Sequence, residues 1–297
     1  MNTSSLRGLY RLPVAERVAR LENAGWIDAD SASRLRAGHH VVPVGAADRM
    51  IENVIGVFGL PFAVAPNFVI NGRECVVPLV VEEPSIVAGL SSAAALAKRA
   101  GGFEVTSAGS LLVGQVHVTG MADPDHAISA VGNAKSDLLA AANAVHPRLI
   151  ERGGGARDIE LRLFALPGGA PLLAVHVLVD TCDAMGANLV NSICEAIAAD
   201  VAAICEGEVA LRILSNLADR SLFTARARFS LDAEVSKAIA LANDIALVDP
   251  YRATTHNKGV MNGIDAVAIA TGNDWRAIEA GAHAFAAAAG HYRALTR

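Results

Sequence analysis

One stretch in the middle of the chain constrains the fold more than any other, because its strand and helix patterns follow a fixed order. Apolar and polar residues alternate, as in strands with one buried face, over residues 112–120, 159–163 and 209–213, and the apolar run over 172–179 predicts a further strand. A long helix predicted from Asp123-Pro124 to Pro147 separates the first two strands, and apolar spacing from Val190 to Ile204 predicts a helix between the last two. The order β-α-β-β-α-β is that of a ferredoxin-like fold. It predicts a compact domain over residues 110–218.

The segments on either side predict a second, larger domain. Before the compact domain, Asn71-Gly72 favours a tight hairpin turn between two apolar runs, and an Ala-rich helix follows from about residue 84 to 99. After it, a strand over 223–229 precedes a helix with Ser230 as a candidate cap, and further helices lie beyond Asp249-Pro250. We therefore predict an α+β protein in which a helical large domain, residues 1–109 and 219–297, carries residues 110–218 as an insertion.

The composition narrows the class of protein. Lys and Arg total 25 against 30 for Asp and Glu, a net charge of -5, whereas nucleic-acid binders usually show a basic excess. The chain lacks both a hydrophobic N-terminal run and about 20 unbroken apolar residues, so we predict a cytoplasmic protein without a membrane partner. The 4 cysteines and 9 histidines lack metal-ligand spacing, so no metal site is predicted.

Two adjacent carboxylates, Glu82 and Glu83, stand directly before Pro84, Ser85 and the Ala-rich helix. One interpretation is structural, because acidic side chains at a helix N-terminus gain about 0.3–1 kcal/mol from the helix dipole. The other is chemical, because a carboxyl held against apolar surface has a raised pKa and can donate a proton. The residues alone leave both interpretations open.

The connection from Asp180 to Asn188 joins a predicted strand to a predicted helix through small residues. Backbone N–H groups at such a helix N-terminus can hold the phosphates of a dinucleotide. The alternative is an ordinary tight connection, with Gly186 in a left-handed conformation and Asp183 or Asn188 as a cap. No GxGxxG sequence follows a strand, so an ordinary Rossmann domain is not supported.

A third polar cluster extends from Tyr251 to Asp274, between Ala-rich helical stretches. It is either a solvated helix face or a site in which Lys258, held by a carboxylate, stabilises an oxyanion. Its other polar members are Arg252, His256, Asn257, Asn262, Asp265 and Asn273.

These clusters belong to a set of ordered stretches that carry a family resemblance. The stretches are Glu52–Gly56, Val80–Ala88, Asp183–Asn188, Ile213–Asp219, and His256–Gly259 with Gly272–Asp274. They resemble the class II, degradative bacterial form of hydroxymethylglutaryl-CoA reductase, over residues 48–295. The resemblance implies a ferredoxin-like dinucleotide-binding domain inserted into a larger helical domain, which agrees with the strand and helix patterns.

The resemblance also implies a reaction. Hydroxymethylglutaryl-CoA and two reduced nicotinamide cofactors give mevalonate and free coenzyme A, or the reverse in catabolism. Lys258 is then the cation that stabilises the oxyanions, Glu83 the proton donor to the aldehyde stage, and Asp274 the bridge between them. Ser85 and Arg252 hold the substrate carboxylate, while Asn262 and Asn216 support Lys258.

The resemblance further predicts the cofactor and the assembly. The turn containing Asp183, Ala184, Met185, Gly186 and Asn188 holds the phosphates of the cofactor. The family's acidic ribose-binding residue, which favours NAD, is absent from Val145-His146-Pro147-Arg148. His146 and Arg148 either meet the 2′-phosphate of NADP or form a solvated basic turn. Family membership favours NAD, and these residues favour NADP. The site lies between subunits, which implies at least a homodimer.

The end of the chain separates two functional hypotheses. Chains of the family continue beyond the position of Arg297 with a mobile helical flap, whose histidine protonates the departing thiolate. Neither His283 nor His291 matches that histidine. The chain is therefore either a reductase, or a catalytically dead homologue that acts only by binding the cofactor and coenzyme A or by dimerisation.

Overall fold

The computed structural model describes residues 3–39 and 41–297, and predictions for Met1, Asn2 and His40 lie outside it. Its strands are Phe62–Ile70 (β1), Arg73–Val80 (β2), Phe103–Ser107 (β3), Leu111–Thr119 (β4), Gly155–Ala165 (β5), Pro171–Asp180 (β6), Glu208–Ser215 (β7) and Phe223–Ala227 (β8). Its α-helices are Val14–Asn23 (α1), Ala29–Arg36 (α2), Val44–Ala47 (α3), Ile86–Arg99 (α4), Pro124–Asn133 (α5), Lys135–Ala144 (α6), Pro147–Glu151 (α7), Ala187–Cys205 (α8), Ala233–Val248 (α9), Pro250–Ala270 (α10) and Trp275–Ala287 (α11).

The chain divides into two compact units. The large unit holds the described residues up to Val105, together with Ala225–Trp275 and Tyr292–Arg297. The small unit holds Thr106–Thr224 and Arg276–His291. Most of α11 therefore groups with the small unit, whereas the sequence analysis assigned all of residues 219–297 to the large domain.

The small unit contains a four-stranded antiparallel sheet in the order β5-β6-β4-β7. Counted within the unit, this is strand order 2-3-1-4, the ferredoxin-like topology, and the predicted α+β fold class is confirmed. Val116, Val175 and Val177 on the two central strands are completely buried, in a core shared with α5, α6 and α8.

Among the described residues, α8 alone is long and apolar enough to span a membrane by length and composition. Its buried side chains, Val190, Ile193 and Ile197, lie in the core against the sheet. This packing accounts for the apolar character of α8.

The helical connection between β4 and β5 differs from its prediction. A single helix was expected from Asp123 to Pro147, but α5 ends at Asn133, α6 begins at Lys135, and Pro147 begins α7. Gly132 and Asn133 are poor helix formers and stand where the first helix ends. Proline favours the first turn of a helix, where its missing N–H costs nothing, so Pro147 starts a helix as readily as it stops one.

The large unit contains more strand than was expected of a helical domain. A second sheet has the order β2-β1-β3-β8. The predicted hairpin is present, with Asn71 and Gly72 at φ 48 and 77 in the left-handed conformations that a type I′ turn requires. β3, which the sequence analysis did not predict, runs parallel to β1.

Polar and backbone contacts define the connections around α9, α10 and the small unit. Asp249 separates α9 from α10, and its carboxylate caps α10 by accepting from the Tyr251 N–H at 2.9 Å. Asp232, rather than Ser230, caps α9.

The segments that lead into and out of the small unit are neighbours, since the Ala108 N–H donates to the Leu222 carbonyl at 2.9 Å.

Candidate active site

The two acidic residues lie between β2 and α4, at the N-terminus of α4. Ser85 occupies the cap position with φ 72, a left-handed conformation that is costly for a residue with a side chain. Its hydroxyl caps no N–H group of the helix. Strained non-glycine residues cluster at functional sites, so Ser85 is a candidate for holding a ligand.

Lys258 and Glu83 form the central contact of the site. The Lys258 ammonium, on α10, donates to the Glu83 carboxylate across 175 residues of sequence. The side chains are 57% and 42% exposed, so the pair can be reached by a ligand. Glu83 thus contacts a cation and is partly exposed, which differs from the apolar surroundings that the chemical interpretation expected. Such a pair can stabilise negative charge on a ligand oxygen and exchange a proton with it.

Two more of the predicted substrate residues lie on α10. Asn262 follows Lys258 by four residues, which places both on one face of the helix. Arg252 lies in the first turn of the same helix and is half-buried. Helix α10 therefore carries the Lys258 ammonium, the Asn262 amide and the Arg252 guanidinium.

Asp274 lies beyond the far end of α10. Ala270 lies twelve positions after Lys258 on the helix, a rise of about 18 Å. The helix then ends in a tight turn in which the Asn273 N–H donates to the Ala268 carbonyl at 2.8 Å. Asp274 follows that turn and so lies, along the helix axis, well beyond Lys258.

The candidate cofactor turn lies between β6 and α8. Gly186 caps α8 with φ 84, and no side chain caps the helix. A Cβ at Gly186 would lie 2.7 Å from atoms of Leu112 and Thr181, so the turn requires glycine for space as well as for conformation. Asp183 instead pairs with Arg152. The uncapped N–H groups suit a phosphate, while the left-handed Gly186 is what the ordinary connection expected, so the turn is compatible with both interpretations.

The remaining predicted residues also lie in the small unit. His146 precedes α7, and its Nε2 atom is enclosed without a hydrogen-bond partner, whereas Arg148 is exposed on α7. Arg148 is therefore better placed than His146 to meet a phosphate. Asn216 is exposed directly after β7, and α11 approaches its carbonyl so closely that a Cβ at Gly281 would lie 2.7 Å away.

The sequence analysis assigned no role to Asn257, although the structure gives it one. Its side chain is completely buried beside Lys258 and bonds the backbone of residues 293 and 295. The available signal was its spacing of four residues from Ala253 and from Met261, which places an amide on the apolar face of α10.

Comparisons with known proteins agree with this arrangement. The family model of hydroxymethylglutaryl-coenzyme A reductase matches residues 13–296. The chain is 46% identical over 299 aligned residues to 3-hydroxy-3-methylglutaryl-coenzyme A reductase of Archaeoglobus fulgidus, covering 99% of this chain and 67% of that one. It is 36% identical to the probable 3-hydroxy-3-methylglutaryl-coenzyme A reductase of Borreliella burgdorferi, covering 84% and 58%.

Solved structures give the same result. The chain superposes on 3-hydroxy-3-methylglutaryl-coenzyme A reductase from Streptococcus pneumoniae with a TM-score of 0.94 and 41% identity, covering 98% of this chain and 70% of that one. The class II enzyme of that organism bound to NADPH in open conformations also matches, with a TM-score of 0.94 and coverage of 98% and 80%.

The two units and their sheets define an α+β protein in which one unit has the ferredoxin-like topology. More particularly, the chain belongs to the hydroxymethylglutaryl-coenzyme A reductase family, with a family model that matches nearly its whole length. It spans between 58% and 67% of the length of the two curated relatives.

Proposed function

We propose that this chain interconverts hydroxymethylglutaryl-CoA and mevalonate plus coenzyme A, with a nicotinamide dinucleotide as the redox partner. The contact between Lys258 and Glu83 carries the proposal, because it joins two distant segments that match the family's catalytic motifs. Family membership and the NADPH-bound relative support the redox chemistry.

Each reduction creates a negative oxygen that the chain's own residues stabilise. The bound nicotinamide supplies one hydride per step. As the hydride reaches the thioester carbonyl, Lys258 stabilises the oxyanion of the resulting hemithioacetal. The carbon–sulfur bond then breaks to give mevaldehyde and the coenzyme A thiolate. In the second reduction Glu83 donates a proton to the alkoxide oxygen, and mevalonate results.

Binding of the substrate carboxylate falls to Ser85 and Arg252. The Ser85 hydroxyl is not used as a helix cap, and guanidinium groups bind carboxylates by two parallel hydrogen bonds. Asn262 supports Lys258 from the same face of α10, and the family resemblance assigns Asn216 the same supporting role.

The turn from Asp183 to Asn188 holds the cofactor phosphates. Its uncapped helix N-terminus supplies N–H donors and a favourable dipole. Between the two nicotinamide cofactors, the exposed guanidinium of Arg148 and the absence of a carboxylate over 145–148 favour NADPH. The class as a whole favours NADH, so both are tested.

The assembly is proposed to be a homodimer of cytoplasmic chains. Because Asp274 lies beyond the far end of α10 from Lys258, we place its contribution to the pair in a second copy. Large apolar side chains are exposed near residue 55 and on α9, as an interface between copies requires: Ile55, Phe58, Phe62, Ile239 and Val248.

The test is oxidation of NADH and of NADPH, in parallel, with hydroxymethylglutaryl-CoA. Turnover that Lys258→Ala abolishes supports the proposal. The second candidate is a protein that binds the cofactor and coenzyme A without turnover. Binding of either cofactor by calorimetry, with no turnover on either, supports that second function.

A further inference from the structure

Residues 292–297 form a segment, here called the tail, that lies along α9 and α10 within the large unit. Asn257 of α10 is the main attachment. Its amide nitrogen donates to the Arg293 carbonyl and its amide oxygen accepts from the Leu295 N–H, both at 2.9 Å. Between them, the Ala294 N–H donates to the Ala246 carbonyl of α9 at 3.1 Å.

His256 makes the second attachment. The Thr296 hydroxyl donates to the Asn243 amide oxygen at 2.6 Å, and the same hydroxyl lies 2.6 Å from His256 Nε2. A hydroxyl has one proton to donate, so His256 Nε2 carries the hydrogen in its own contact. Burial, and secondarily the Arg252 cation, lower the pKa of His256, which keeps the ring neutral at pH 7. Thr296 thus links α9 to α10.

The attachments are the two residues directly before Lys258. Successive residues of a helix point about 100° apart, so Asn257 faces the core while Lys258 faces Glu83. A rotation of α10 by about 20° moves a side-chain end about 6 Å from the axis by about 2 Å. That displacement exceeds the tolerance of a hydrogen bond.

We propose that the tail fixes the rotation of α10 through Asn257 and Thr296 and thereby aims Lys258 at Glu83. Asn257 and Thr296 are positioning residues, since neither contacts the proposed reacting atoms. The inference rests on the proposed function only for its kinetic test. The orientation of Lys258 is also tested by hydrogen exchange, which does not depend on activity.

The kinetic test uses Asn257→Ala and Thr296→Val in the full chain. Each variant is expected to lower kcat, by about tenfold and about threefold respectively, with KM changed less than about twofold, because misplacing a catalytic group weakens the transition state more than substrate binding. Thr296→Ser, which keeps the hydroxyl, is expected to retain the wild-type kcat.

The matched control is Thr254→Val, which removes a hydroxyl that bonds only the Pro250 carbonyl of the same helix. An unchanged kcat in Thr296→Val, or equal losses in Thr296→Val and Thr254→Val, overturns the proposal. If Asn257→Ala does not fold, the comparison of Thr296→Val with Thr296→Ser decides whether the tail positions Lys258.

The structural readout is hydrogen exchange of the peptide spanning residues 255–262. Faster exchange in Thr296→Val than in Thr296→Ser supports the proposal, and equal exchange overturns it. A wild-type chain without turnover contradicts the proposed function, and the exchange measurement still decides the role of the tail.

Discussion

The ammonium of Lys258 donates to the carboxylate of Glu83, and so joins the middle of α10 to the segment that precedes α4. Glu83→Gln keeps the shape of that side chain and an acceptor for Lys258 but removes the proton. We expect it to slow reduction of mevaldehyde by about 10²–10⁴-fold, the usual contribution of a general acid. Cofactor absorbance measures the rate. The neighbouring Glu82→Gln should retain most activity, and equal losses in the two variants would exclude a specific role for Glu83.

The position of Asp274 predicts complementation between inactive variants. If Lys258 and Asp274 of one site come from different copies, a heterodimer of Lys258→Ala and Asp274→Ala has one intact site. A random equimolar mixture should recover about one quarter of wild-type activity. Activity is measured after the two variants are unfolded together and refolded. A mixture no more active than the separate variants would place both residues in one chain.

A second ion pair, remote from the site, predicts a pH dependence of stability. Lys98 donates to both oxygens of Glu74, at 2.6 and 2.7 Å, and with Ser4 it lowers the pKa of Glu74 to about 2. Because the folded-state pKa lies below the ordinary value of 4.5, this stabilisation is complete above pH 4.5 and is lost as the pH falls toward 2.

Lys98→Met should therefore cost about 2 kcal/mol of unfolding free energy at pH 7, and less as the pH falls below 4.5. Urea unfolding at several pH values measures the difference. Lys237→Met is the control, since its pair with Glu234 is 75% and 82% exposed and should contribute under about 0.5 kcal/mol. A Lys98→Met cost that is independent of pH would contradict the assignment.

Substitution of Gly186 by alanine is expected to weaken binding of the cofactor. Gly186→Ala places a Cβ at φ 84 and 2.7 Å from Leu112 and Thr181, so the turn before α8 must shift. We expect the Kd for the dinucleotide to rise at least about tenfold, because the N–H donors lose their arrangement. Calorimetry measures it. Gly168→Ala, in open space at the β5–β6 turn, should bind as the wild type does, and wild-type binding by Gly186→Ala would exclude the turn as the phosphate site.

Reversal of the charge at Arg148 is expected to change the preference between NADPH and NADH. Arg148→Glu replaces an exposed cation by an anion that repels a 2′-phosphate and accepts from a ribose hydroxyl. The ratio of kcat/KM for NADPH to that for NADH should fall by about tenfold or more, a typical effect of one charge reversal near a phosphate. Arg212→Glu on β7 is the control. An unchanged ratio would leave residues 145–148 without a part in recognition.

Local patterns were enough to predict the hairpin at Asn71-Gly72 and the strand order of the small unit. The hairpin follows from the turn conformation of two residues, and the strand order follows from the β-α-β-β-α-β order of elements along the chain. The break at Ala134 was missed because α5 and α6 both carry helical spacing across it. β3 was missed because five residues give too little alternation to separate a strand from a loop.

In the candidate site as well, residues recognised from local motifs differ from contacts that no local pattern predicts. Glu83 and Lys258 were recognised as members of motifs, but no local pattern indicates that they touch across 175 residues. The position of Asp274 beyond the end of α10 depends on that helix continuing unbroken to Ala270. A sequence rich in small residues does not predict such a long helix. The role of Asn257 depends on the tail, 36 residues away along the chain.

The hydrogen bond between Ala108 and Leu222 has a consequence for the modular design of the protein. Because the chain leaves for the small unit and returns from it at adjacent points, a linker of a few residues can bridge the gap. Residues 109–221 can therefore be excised without rerouting the polypeptide on either side, although α11, which groups with the same unit, lies outside that segment.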